Sequence, residues 1–178
     1  ALISGLLSAG YKKNLIEFID RNKINSRKTK KIGATKTNLK TIDTKSIIFL
    51  GVKPKDAMNA YAEICAEVKK PKIVSLVAGI KSNKYLSNSK DIELIRAMPN
   101  TSAKFNKGIT AIYNCNAAKT TFNHVSLLCK KVGTIIEITE ESKIDDFTGL
   151  IGSGPAYFFY LLKVYEKRIL KLCDGDKS

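Results

Sequence analysis

The residues best suited to chemistry stand in two short stretches. One is Arg96, Ala97, Met98, Pro99, Asn100 and Thr101; the other is Gly152, Ser153, Gly154, Pro155, Ala156 and Tyr157. The first follows an apolar run over residues 92–95 and ends in Pro and Asn, which close strands and shape turns. A fixed polar loop at a strand end is where open α/β sheets keep their ligands. Gly51, Val52, Lys53 and Pro54 follow one apolar run, and Leu76, Val77, Ala78 and Gly79 end another. In a doubly wound sheet such ends converge on one crevice. A crevice of backbone and small groups suits a flat cofactor, which carries the chemistry while the protein supplies position and electrostatics.

Other chemistries find little support. A hydrolase needs a nucleophile paired with a base, and the chain has one histidine, His124, read as a surface residue of a helix. Gly152-Ser153-Gly154 lacks the G-x-S-x-G spacing of a nucleophile elbow. The carboxylate pairs Glu140-Glu141 and Asp145-Asp146 are read as solvated acids at turns and helix starts. Cys65, Cys115, Cys129 and Cys173 include no C-x-x-C pair, so no metal site is expected. Free thiols of this kind fit a reducing, cytoplasmic setting.

Alternating elements must position the strand-end loops. An amphipathic helix is expected over residues 1–9, capped by Gly10. A short strand over 15–19 closes on Asp20, Arg21 and Asn22. An exposed helix covers 23–31, and a minor strand 32–34. Asn38 or Thr37 caps a short helix reaching Asp43. The run over 46–52 reads as a parallel strand buried on both faces. Pro54 opens a helix to about Lys69, with Met58, Tyr61, Ala62, Cys65 and Val68 on its inner face. Strands over 72–77, 92–97, 109–113 and 134–138 follow. Between them lie short helices over 82–87 and 142–147, the latter capped by Ser142, and a longer one over 118–132. Pro155 suits the first turn of a last helix, 156 to about 172. This alternation predicts an α/β fold with a mostly parallel sheet and flanking helices.

The 178 residues are 44% hydrophobic and 26% charged, ordinary for a globular chain. The net charge of +15 is spread over lysine-rich faces without a recognition motif, so no nucleic-acid partner is expected. The densest block, residues 27–31, is basic enough to attract a phosphate-bearing ligand. No apolar run approaches the roughly 18 residues of a membrane span, so no membrane partner is expected. At Asp20 and Arg21 two signals compete. An acid at the end of the second strand of a dinucleotide fold holds the adenosine ribose, whereas an Arg favours a 2′-phosphate. A plain polar turn accounts for them equally well.

With these residues in view, the chain resembles pyrroline-5-carboxylate reductase. The matching segments are residues 1–10, 47–54, 74–79, 95–101, 108–111 and 145–157, and the Arg-Ala-Met-Pro-Asn-Thr and Gly-Ser-Gly-Pro-Ala-Tyr pair is the most specific. The resemblance implies a Rossmann-type cofactor domain over 1–148 and the start of a helical dimerisation domain over 149–178. It implies hydride transfer from NADPH or NADH to 1-pyrroline-5-carboxylate, giving L-proline, in a homo-oligomer. By resemblance, Asn38 and Gly51, Val52, Lys53 and Pro54 contact the cofactor, and Arg21 lies next to the adenosine ribose. Leu76, Val77 and Ala78 pass beside the nicotinamide. Met98, Asn100 and Thr101, with Gly152, Ser153, Gly154 and Pro155, border the nicotinamide and the substrate. No catalytic residue is assigned.

The resemblance also has departures. The G-x-G-x-x-G turn and its strand, which hold the pyrophosphate, have no counterpart here. Lys163 and Lys167 stand where the family has acidic and small residues, and residues 173–178 match nothing. A partial or frameshifted gene is therefore expected, whose product is marginally stable and lacks reductase activity, since open strand edges invite aggregation. A related β-hydroxyacid-type dehydrogenase would need Lys163 as its catalytic lysine. A non-catalytic basic binding module would bind nucleic acid in a salt-dependent way.

Overall fold

A computed structural model describes residues 1–89 and 91–173; Lys90 and the divergent tail, 174–178, lie outside the described residues. The chain forms two sheets. The smaller pairs β1 (Glu17–Phe18) with β2 (Thr35–Lys36) in parallel. The larger runs in the order β3 (Ile47–Leu50), β4 (Lys72–Ser75), β5 (Glu93–Pro99), β6 (Gly108–Asn114) and β7 (Gly133–Glu137). Every pairing is parallel except β5 with β6. The expected fold, mostly parallel strands with flanking helices, is the one observed.

Helices cover both faces of the larger sheet. Strand alternation sends Leu50, Ile73 and Leu94 to one face, under α3 (Ala57–Glu67) and α4 (Ser82–Leu86). Val74, Ile95, Ala97 and Ile112 face the other way, under α5 (Lys119–Lys130), where Val125 and Cys129 are buried. The helix α6 (Lys143–Phe147) seals a third cluster through Ile144 and Phe147. A fourth joins α1 (Leu2–Ser8) to Phe18 of β1 and Phe49 of β3, so the two sheets meet through side chains and not through a hydrogen-bonded ladder. Asn22 caps α2 (Lys23–Lys31), its side chain accepting from the amides of Ile24 and Asn25.

The observed elements differ from the expected ones in several places. β3 lies at the edge of the larger sheet and its Ile47, Ile48 and Phe49 are only half-buried, so it is not buried on both faces. β1 spans only Glu17–Phe18, because Lys13–Leu15 turns as a 3₁₀ helix. The minor strand lies at Thr35–Lys36 and not at 32–34. Ile32 still closes α2 and Gly33 turns at φ 101°, so pairing with β1 begins beyond them. On α3 the buried face is Ala57, Tyr61 and Ile64, continued by Val68; Ala62 is exposed. Ser142 stands before α6 in helical conformation and makes no side-chain cap bond. Glu141 is not a solvated turn acid, as described below.

After α6 the chain passes through a π-helical turn, Thr148–Ser153, into α7 (Gly154–Leu172). Pro155 sits in the first turn of α7, as its missing N–H allows. No residue of α7 is buried. Tyr157, Phe158, Phe159 and Tyr160 are each at least 70% exposed. Among the described residues, no helix is long and apolar enough to cross a membrane.

Candidate cofactor site at the strand ends

The parallel register of β3, β4 and β5 places Leu50, Ser75 and Arg96 side by side. The three segments that follow therefore leave the sheet at one end. Residues 51–54 are exposed, and Pro54 opens a 3₁₀ turn, Pro54–Asp56, that leads into α3. Val77 is buried, with Leu76 and Ala78 half-buried beside it. Met98 is buried near the end of β5, and the exposed Thr101 begins the 3₁₀ turn Thr101–Phe105, anchored by the buried Ala103. The Asn100 amide donates to the Ile109 carbonyl at 3.2 Å, and its side-chain oxygen accepts from the Ile109 amide at 3.1 Å. Both bonds fix the turn onto the first residues of β6.

Gly152–Pro155 reaches the same end through packing. Ile151, on the π-helical turn, joins Ala78 and Met98 in one apolar cluster floored by Ala111, Ile144 and Phe147. Segments 76–78 and 98–101 thus meet Ile151, the residue just before 152–155. Their small and apolar side chains offer a flat wall and no acid–base pair.

Arg21 and Asn38 belong to the smaller sheet. Arg21, just beyond β1, pairs with Glu63 of α3, so it bridges from one sheet to the helix packed on the other. Asp20 is turned inward, its carboxylate accepting from the Asn22 amide at 2.7 Å. Asn38 caps the 3₁₀ turn Leu39–Thr41, accepting from the Lys40 amide at 3.0 Å. Arg21, Lys23, Arg27, Lys30 and Lys36 line a depression of about 200 Å³ around Ser26. Five cations around one hydroxyl make this depression strongly positive. The basic block was legible; its gathering with Arg21 and Lys36 depends on the β1–β2 pairing.

Beneath the strand-end loops lies a buried polar cluster that sequence reasoning did not assemble. Arg96 is 1% exposed, and its Nη1 donates to Glu141 Oε1 at 2.8 Å. Glu141 also accepts from the Ser82 amide at 2.6 Å and the Ser82 hydroxyl at 2.7 Å. Burial alone would raise the Glu141 carboxyl; the Ser82 and Arg96 donors outweigh it and hold the group below its ordinary range. Ser75 Oγ lies 3.0 Å from the Tyr85 hydroxyl, and Tyr61 donates to the Tyr85 carbonyl at 2.7 Å. Burial, aided by the Glu141 charge, pushes the Cys115 thiol up to about 12, which leaves it unreactive. The signal for this cluster was an arginine at a core register of an apolar strand, which demands a buried partner.

A family model described as NADP oxidoreductase, coenzyme F420-dependent, matches residues 1–79. Pyrroline-5-carboxylate reductase 1 of Bacillus subtilis is 33% identical over 130 residues, covering 71% of this chain and 43% of the relative. The solved pyrroline-5-carboxylate reductase of Coxiella burnetii superposes with a TM-score of 0.77 at 27% identity, covering 96% of this chain and 66% of that one. This chain is similar to pyrroline-5-carboxylate reductases. The Plasmodium falciparum pyrroline carboxylate reductase solved with NADP bound has the same fold, with a TM-score of 0.82 at 22% identity over 96% of this chain and 64% of that one. The chain spans about half the length of the curated reductases it matches first, from 43% to 51%.

Proposed function

We propose that the chain carries the cofactor-binding part of an NAD(P)H-dependent pyrroline-5-carboxylate reductase, which reduces 1-pyrroline-5-carboxylate to L-proline. The observation that carries this reading is the shared cluster of Ala78, Met98 and Ile151, which joins the first of the two most specific segments to the residue that precedes the second. In this reading residues 51–54 and Asn38 hold the middle of the cofactor, and 76–78, 98–101 and 152–155 border the nicotinamide and the substrate. The reduced nicotinamide supplies the hydride. The chain's own residues supply a rigid apolar wall that orients a flat ring and excludes water from one face.

The reading favours NADP over NAD. Asp20, the acid that would select a free ribose hydroxyl, is occupied by the Asn22 amide, while Arg21 joins a cup with four lysine and arginine neighbours. A 2′-phosphate fits such a cup, and a neutral hydroxyl gains little from it. The related dehydrogenase that would use Lys163 is less well supported. Lys163 is exposed on α7, nine residues past its first, about 14 Å along the helix axis.

The same reading includes a cytoplasmic homo-oligomer, with the uncovered aromatic turn of α7, Tyr157 to Tyr160, supporting a contribution to the subunit contact. The test is a titration of the 178-residue chain with NADPH and NADH, followed by NADPH oxidation in the presence of 1-pyrroline-5-carboxylate. Micromolar NADPH binding supports the cofactor reading, and turnover supports the substrate. Salt-dependent nucleic-acid binding without nucleotide binding overturns both.

A further inference from the structure

Arg96 divides two apolar clusters on one sheet face. Leu94, two residues before it, belongs to the cluster under α3 and α4, and Met98, two residues after, to the cluster under α6. A guanidinium at that position is costly unless its charge is matched. Its Nη1 reaches Glu141, and its Nη2 lies 3.6 Å from Asp145 of α6 and makes no hydrogen bond among the described residues. Glu141 stands two residues before α6 and is bound at both carboxylate oxygens by Ser82, the first residue of α4. One carboxylate thus ties a central strand to two helices that lead from opposite sides of the nicotinamide wall. α4 continues from residues 76–79, whereas α6 runs directly into the π-helical turn and Gly154. On the same sheet face, Ser75, opposite Arg96 in the ladder, accepts weakly from the Val77 amide at 3.4 Å.

We propose that Arg96, Glu141 and Ser82 form a clamp that sets the spacing between residues 76–79 and residues 148–155, making them positioning residues for hydride transfer. The proposal rests on the reductase reading for its function, though not for its geometry. None of the three is required to touch substrate or cofactor; they act through the backbone they fix. An ordinary core ion pair would add stability everywhere and favour no part of the site. The clamp acts on one end of the cofactor alone.

The test compares the wild-type chain with Glu141→Gln and Glu141→Asp. NADPH is titrated against each, and so is 2′,5′-ADP, which lacks the nicotinamide half. The clamp predicts that Glu141→Gln weakens NADPH about tenfold, the loss of a charged hydrogen bond, and leaves 2′,5′-ADP unchanged. Glu141→Asp recovers most of the loss. Hydrogen exchange, recorded without nucleotide, is expected to quicken more at residues 76–79 and 148–155 than in β3. Equal weakening of both nucleotides, or exchange that is unchanged or uniformly faster, overturns the clamp. If the wild-type chain binds neither nucleotide, the cofactor reading fails and exchange alone decides: local quickening supports the clamp, and any other pattern overturns it.

Discussion

Gly5 and Ala103 meet backbone against backbone: a Cβ on Gly5 would stand 2.0 Å from the Ala103 carbonyl oxygen. This contact seats α1 on the turn that follows Thr101, and Asn106 reinforces it by donating to the Gly5 carbonyl at 2.8 Å. Helix propensity alone would make Gly5→Ala favourable by about 1 kcal/mol. The clash reverses the sign, and a net loss of about 1–3 kcal/mol is expected from overpacking. Gly149→Ala, where nothing lies within 4 Å, serves as the control and is expected to be favourable by up to about 1 kcal/mol. Urea midpoints of the two variants check this.

Tyr85→Phe removes a hydroxyl that lies 3.0 Å from Ser75 Oγ in a buried setting. The variant is expected to lose about 1–2 kcal/mol, because Ser75 keeps its desolvated hydroxyl without that partner. Tyr61→Phe strips the donor from the Tyr85 carbonyl, with a similar cost. The double variant is expected to show coupling, since both bonds fix the same helix. Denaturant unfolding of the single and double variants measures it.

The Glu141 carboxyl is held below its ordinary value of 4.5 by its donors. Such a group stabilises the fold above the unfolded pKa, and the contribution fades as pH falls through the folded value. Arg96, Ser82, Asp145 and the Cys115 thiol face it. The stability gap between wild type and Glu141→Gln is expected to be about 1–3 kcal/mol and flat from pH 7 to 5. Below pH 4.5 it is expected to shrink. Unfolding curves at stepped pH give the profile, and a gap that widens toward acid contradicts it.

Lys36→Ala removes one wall of the phosphate cup. NADPH affinity is expected to fall about tenfold, and NADH affinity to stay within about twofold, the signature of a lost charge-assisted contact to a 2′-phosphate. Parallel calorimetric titrations report the ratio. A loss shared by both nucleotides would place Lys36 elsewhere.

The four thiols are expected to divide by environment. Burial pushes Cys129 up to about 11 and Cys115 up to about 12, and raises Cys65 as well, while Cys173 is exposed at the end of α7. A thiolate-specific reagent at pH 8 is expected to label one cysteine quickly in the native chain and all four after denaturation. Mass spectrometry of the labelled peptides identifies Cys173 as the fast site.

Strands β3 to β6 were legible because each is an apolar run closed by Gly, Pro or Asn, and β7 because Gly133 opens its apolar run. α7 was legible from Pro155, and residue type narrowed the cap before Leu39–Thr41 to Asn38 or Thr37, of which Asn38 caps it. The Thr35–Lys36 strand was not legible, since two exposed polar residues carry no periodicity and only pairing with β1 makes them a strand. On α3 the expected inner face held at Tyr61 and Val68, with Met58 and Cys65 packed at its margin, while Ala62 is exposed and Ala57 and Ile64 were missed, because a helical stripe fits either set nearly as well. Glu141 read as a turn acid because its partner, Arg96, lies 45 residues away in the chain. At the site, the loops were found from their position after strands. The arginine–carboxylate cluster beneath them, and the cationic cup beside them, depend on tertiary pairing that no local pattern encodes.

The antiparallel pairing of β5 with β6 bears on the order in which the chain assembles. A parallel neighbour requires a crossover, whereas β6 returns beside β5 after a single turn. Loop closure is cheapest where the connection is shortest, and hairpins form within microseconds. Residues 96–101 therefore lie in the pair that can zip earliest, ahead of the crossovers that bring β3 and β4 alongside. The segment that marks this chain most specifically is also placed to template the edge on which the remaining strands register.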